Sequence, residues 1–250
     1  MFDLFKSASE LYEKALAYKA NNESKYLSYL EKSSDKGYAK ATVELGLYYS
    51  NQDLGKAMAY FEKASCAGVA MGFHNMGVVH ALNGNVDAAK HCYQKSAELN
   101  AAISHKELAV IYANEQNDLY SLAHAIYAIA YGNSNDDWLP GLKKSVEKIK
   151  TAFAHSDLFY SAQGLAIRFA AHEFNELIGE LRLDLQQPGM AEKIISEVSH
   201  QTLLGESRFS LKTAAFLRKQ QPIASRFDIS VLDVYFSCAA LTGLLQNPET

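Results

Sequence analysis

Apolar and polar positions recur with two periods in the first half of the chain. Within each stretch of about a dozen residues the apolar positions fall three and four apart, the spacing of one helix face. These stretches come in pairs separated by polar turns: Asn21-Asn22, Asn51-Gln52-Asp53, Asn83-Gly84-Asn85 and Asn114 to Asn117. The pairs themselves repeat. Setting Gly37 on Gly68 brings the small, aromatic and charged positions of Gly37 to Leu99 into register, and further copies open at Asn100 and Gly132, in steps of 31, 32 and 32 residues. A period of that length marks a helical solenoid. The expected fold is therefore all-α, an α/α superhelical solenoid of antiparallel helix pairs. Its units are about 6–36, 37–67, 68–99 and 100–131, making a repeat array over 1–132; a helical capping region or second lobe follows over 133–250.

Particular slots recur. Ala15, Gly46, Gly77 and Ala109 share one in the middle of each first helix, where a small side chain lets the second helix approach closely. Tyr18, Tyr49, His80 and Tyr112 stand three residues further on and share that helix face. On the second helices Leu30, Phe61, Tyr93 and Ala125 fill a bulky slot, and Ser33, Ala64, Ser96 and Ala128 a small one. Lys32, Lys63 and Lys95 lie between them and should point to water.

The run Ala41 to Tyr49, then Lys56 to Ala64 and the closing Gly68, resembles the SEL-one-like repeats, close relatives of tetratricopeptide repeats. The next copy keeps Asn75-Met76-Gly77 and Ala88-Ala89 through Tyr93 to Glu98, and the resemblance covers about half the chain. It implies a right-handed stack of antiparallel helix pairs used as an adaptor or scaffold for other proteins, with no catalytic residues to carry over. One departure is plain: the family's extended turn between the two helices is cut here to a few residues, which bears on superhelical curvature.

Each pair has an apolar face that it cannot cover alone, so neighbours stack and the first helices align along one concave wall. Side chains repeated on that wall become a stripe. The expected partner-binding residues are Tyr18, Glu44, Tyr49, His80, Glu107 and Tyr112, beside Glu13 and Asn75. Tyrosine offers a large contact area at low entropy cost together with a hydroxyl, and Glu44 and Glu107 would select basic groups. Half-buried packing between repeats is the competing role for the tyrosines. The function expected is non-enzymatic binding of a protein or peptide.

The register fails at Asn133 to Gly141, where polar residues and Pro140 announce a new helix, and Trp138, the sole Trp, is placed to cap the last repeat. Leu142, Val146, Ile149 and Phe153 follow at helical spacing, with Lys143, Lys144, Lys148 and Lys150 opposite; that lysine row reads as a solvated face or as a phosphate patch. Residues 157–186 read as one or two helices with Gly164 and Gly179 as close contacts or breaks. Pro188 opens another, and a helix from about Ser207 to Gln220 stops at Pro222. In the tail Phe227, Ile229 and Val231 alternate as in a strand, while Val231, Tyr235, Cys238 and Leu241 suit a helix. Gly179-Glu180-Leu181, Glu197-Val198 and Arg226 to Val231 look somewhat like a family of small predicted bacterial endonucleases of the restriction-enzyme-like fold, which implies a divalent metal that activates water. Arg182 and Ser199 stand where that family has its Asp and Lys, so the resemblance implies a degenerate metal site.

Composition adds limits. With 48% hydrophobic and 21% charged residues the chain is an ordinary globular one, and a net charge of −4 without long single-sign runs advertises no nucleic-acid surface. Three cysteines without a CxxC spacing suit reduced, buried thiols. His74 and His80 lie six apart on different helix faces, and no HExxH, P-loop, GxSxG or GxGxxG occurs, so neither metal nor cofactor is expected. The N-terminus lacks the regions of a signal peptide and no apolar run has membrane-spanning length, which makes the cytoplasm the expected compartment. A homodimer through the C-terminal apolar helices is a further arrangement that the pattern admits.

Overall fold

A computed structural model describes residues 6–152, 157–170, 172–174, 177 and 218–228, and the regular structure among them is all helical. In chain order the helices are α1 (Ala8–Tyr18), α2 (Glu23–Asp35), α3 (Ala39–Tyr49), α4 (Leu54–Cys66), α5 (Ala70–Leu82), α6 (Val86–Glu98), α7 (Ala102–Asn114), α8 (Asp118–Tyr131), α9 (Leu139–Ala152), α10 (Asp157–Phe169) and α11 (Gln221–Phe227). From α1 to α6 each helix packs on the next, the arrangement of an all-α helical repeat solenoid. Two compact units divide the chain, 1–108 and 109–250, and the division falls within α7. Among the described residues no helix is long and apolar enough to cross a membrane.

The polar turns act as caps. Ser7 and Glu10 form a reciprocal box at the start of α1, while Asn22, Asp53 and Asn117 accept from the backbone N–H of Lys25, Lys56 and Tyr120 to start α2, α4 and α8. The second helices of the first three pairs end alike. Gly37 (φ 84°), Gly68 (φ 75°) and Asn100 (φ 66°) adopt the left-handed conformation. The residue after each donates back to Ser33, Ala64 and Ser96 at 3.1, 3.1 and 3.3 Å, closing a Schellman motif. The period that organises the sequence is thus a recurring chain reversal. Gly132 ends α8 differently, with an extended backbone, and there the register stops.

In the first unit the small slot faces its own second helix. A Cβ added at Gly46 would lie 2.4 Å from the Phe61 ring, and one at Gly77 would lie 2.7 Å from the Tyr93 ring. The larger partner sits opposite glycine. Where the slot holds Ala15, the second helix offers Leu30, and both are fully buried. Successive pairs come equally close at Gly72, where a Cβ would meet the backbone of α4 at Ser65, 2.5 Å away.

The second unit has its own core. Leu122, Ile126 and Tyr127 of α8 pack with Phe159, Ala162 and Ile167 of α10 and with Ile223 and Phe227 of α11. Trp138 lies on Gly132, whose added Cβ would stand 2.8 Å from the indole. Gly164 is buried inside α10 and does not break it; the helical residues 218–219 end at the Gln220 turn, and Pro222 then occupies the first turn of a new helix, α11, where its missing N–H costs nothing. Phe227 is accordingly helical, not strand-like. Gly179, Pro188, Glu197, Ser199 and the chain from 229 onward, which carry the endonuclease-like pattern and the tail, lie outside the described residues.

Candidate functional site

The aromatic ladder of the first helices meets the second helix of the same pair. Tyr18 stacks on Tyr29 with ring centroids 5.8 Å apart and planes at 7°, and the Lys25 ammonium stands 4.9 Å from the Tyr18 ring. One repeat later Tyr49 stacks on Tyr60 at 5.8 Å and 6°, with Lys56 at 5.0 Å. These are one structure written twice, 31 residues apart, and all four tyrosines are half-buried. Such a stack contributes about 0.5–1.5 kcal/mol beyond burial, and an exposed cation over a ring about 0.5–1 kcal/mol. The third pair drops the motif: register puts Cys92 where Tyr60 stands, and His80 is half-buried in the last turn of α5. In the second unit Tyr112 stacks on His124 at 5.4 Å and touches Tyr120 at 5.2 Å.

The two acidic members are engaged within the first unit. Glu44 accepts from the Lys19 ammonium at 2.5 Å and from the Tyr26 hydroxyl at 2.8 Å, tying α3 to the preceding hairpin. Burial opposes its charge, but Lys19 and Tyr26 together outweigh that and hold the carboxyl below its ordinary range. Burial and the Glu44 hydrogen bond push the Tyr26 hydroxyl well up. Glu107, also half-buried, pairs with its neighbour Lys106 at 2.7 Å. Between them in register, the Asn75 side-chain nitrogen is buried without a hydrogen-bond partner.

A different ladder faces water. Leu16 and Leu47 follow the small slot by one residue and stay 36% and 48% exposed, with half-buried Val78 next in the series. They sit on an i, i+3 row with Glu13, Glu44 and Asn75. Leu82 and Val86, at the turn between α5 and α6, are 83% and 52% exposed. The 31-residue spacing of Leu16 and Leu47 was available as a signal, but apolar periodicity alone does not separate an outward leucine from a buried one.

Below this surface the small serine slot forms a polar seam. Ser33 donates to the Ala8 carbonyl and Ser96 to the Ala70 carbonyl, so each fastens the second helix to the first turn of its own first helix. Ser104 donates to Ser96 at 2.7 Å, which uses its proton, and His74 must then donate from Nδ1 to Ser104 at 3.0 Å. Burial holds the His74 imidazole below its ordinary pKa. Of the thiols, Cys92 is buried and pushed up by that burial, whereas Cys66 is exposed, contrary to the sequence expectation.

Residues 72–103, most of α5, all of α6 and the first residues of α7, match the family model of the tetratricopeptide repeat. No curated protein matches the chain. That match and the stacking from α1 to α6 are those of a tetratricopeptide-like helical repeat.

Proposed function

We propose that this chain is a non-enzymatic scaffold or adaptor of the SEL-one-like kind, working in the cytoplasm. Its array over 1–132, in units of about 6–36, 37–67, 68–99 and 100–131, binds a protein or peptide on the face presented by the first helices. The observation that carries this reading is the exposure of Leu16 and Leu47, one repeat apart, in an array whose other repeated apolar slots are buried or half-buried. Apolar side chains repeated in water at a fixed register form a contact stripe. In the first unit Leu16 and Leu47 supply the apolar contacts, and Glu44 and Glu107, held by Lys19 and Lys106 in the free chain, select basic groups by exchanging those lysines for a partner's cations. Tyr18, Tyr49 and His80 present the open edges of their rings; on the second unit Tyr112 does the same.

The test separates contact from packing. Leu16→Ser with Leu47→Ser should leave helicity and melting unchanged and reduce retention of a partner first identified with the wild-type chain at least tenfold. Tyr49→Ala should lower the melting temperature, because it opens the stack on Tyr60. Undiminished retention by the double serine variant would sink the proposal.

A further inference from the structure

We propose that the second unit binds a small amphipathic anion, an apolar body with a phosphate or carboxylate head, in a cavity lined by α8, α9, α10 and α11. The cavity measures about 500 Å³, within the size range of small-molecule sites. Ile126, Phe159 and Phe227 are among its apolar lining residues, and Gln163, only 2% exposed, adds a polar group. Lys143, Lys144 and Lys150 reach it from α9, whereas Lys148 of the same row does not.

Charge decides what the cavity takes. Four cations line it, these lysines and Arg226, against two carboxylates, Glu147 and Asp228. Arg226 is already held by Glu173 at 3.1 Å and lies over the Tyr131 ring. The three lysines have no carboxylate within ion-pairing distance among the described residues, although Glu147 shares their helix. A solvated lysine face accounts for exposed ammonium groups but not for a hollow beside them that also carries Ile126, Phe159 and Phe227. An anion with an apolar body answers both: the head meets the lysines, which outnumber the carboxylates of the lining, and the body covers Ile126, Phe159 and Phe227. Head recognition by flexible ammonium groups accepts phosphate or carboxylate alike, as point charges rather than forked pairs.

Isothermal titration calorimetry on the full chain tests this with decyl phosphate and decanoate below their micelle concentrations. Inorganic phosphate, decanol and decyltrimethylammonium are the controls. At least one of the two anions should bind with a stoichiometry of one, at least tenfold tighter than any control, and the affinity should fall as salt is raised; the tighter of the two identifies the head group. Lys143→Gln, Lys144→Gln and Lys150→Gln combined should weaken it at least tenfold without changing the melting temperature, and Lys148→Gln should change nothing. Absence of binding, equal binding of decyltrimethylammonium or decanol, or equal affinity of the triple variant and Lys148→Gln would each overturn the proposal. Should the triple variant melt early, the salt dependence and the cationic control on the wild-type chain decide alone.

Discussion

Gly46 and Phe61 form a matched pair whose logic can be tested by exchanging it for the pair used one hairpin earlier. In Gly46→Ala the new Cβ would sit 2.4 and 2.6 Å from Phe61 Cε1 and Cδ1, about 1 Å inside ordinary contact. Phe61 is 1% exposed, so the ring has little room to swing away. Overpacking of this kind costs about 1–3 kcal/mol, from which Ala's helix preference over Gly recovers about 1 kcal/mol. Phe61→Leu alone leaves unfilled volume beside Gly46 and costs about 1–2 kcal/mol. Together they recreate Ala15 opposite Leu30, a combination this fold already packs with both residues fully buried. The double variant should therefore lie within about 1 kcal/mol of wild type, more stable than the sum of the singles by about 1–2 kcal/mol. Urea denaturation of all four chains followed by far-UV circular dichroism gives the cycle. Additivity within about 0.5 kcal/mol would refute the idea that the two slots are sized against each other.

Two further outcomes follow from the first and second units separately. His74 is buried neutral and titrates below its ordinary value, so the unfolded chain takes up a proton at pH values where the folded one does not. Its contribution is whole above about pH 6.5 and is lost as pH falls through the folded pKa; melting temperatures between pH 7.5 and 5 should drop less steeply in His74→Gln, and an equal or steeper slope would contradict this. Gln116 holds the left-handed conformation (φ 59°) at the register position where Gly84 (φ 77°) stands in the preceding pair. Gln116→Gly should thus stabilise the chain by up to about 1 kcal/mol in the same urea assay, and a loss would mean that the Gln side chain contributes more than the strain costs.

The pairing of helices was legible because each slot repeats a physical demand. Gly46 and Gly77 had to be small for Phe61 and Tyr93 to fit, and Gly37, Gly68 and Asn100 had to tolerate a positive φ. The ladder of Tyr18 and Tyr49 was legible as a ladder, and half-buried packing between repeats was one of its two expected roles, whereas the stacks lie within each pair. Sharing a face with the small slot already turns these side chains toward Tyr29 and Tyr60, because that face is the one the partner helix covers. Glu44 was read as open to a partner, and nothing local in the sequence announces Lys19 and Tyr26, which lie 25 and 18 residues away. Beyond the array no repeat cross-checks each position. Pro222 was read as a helix end alone, whereas it also opens α11, and the cavity beneath Lys143, Lys144 and Lys150 depends on α8, α10 and α11, which no spacing on α9 reveals.

The shared reversal at Gly37 and Gly68 makes the span between them an interchangeable cassette. A chain cut before each glycine can be rejoined, or given a second copy of 37–67, without designing a new turn, because both junctions present the same backbone geometry and the same pair of closing bonds. Array length in such a protein is therefore free to change by whole hairpins, and a frameless slip of a few residues is the alteration that it resists.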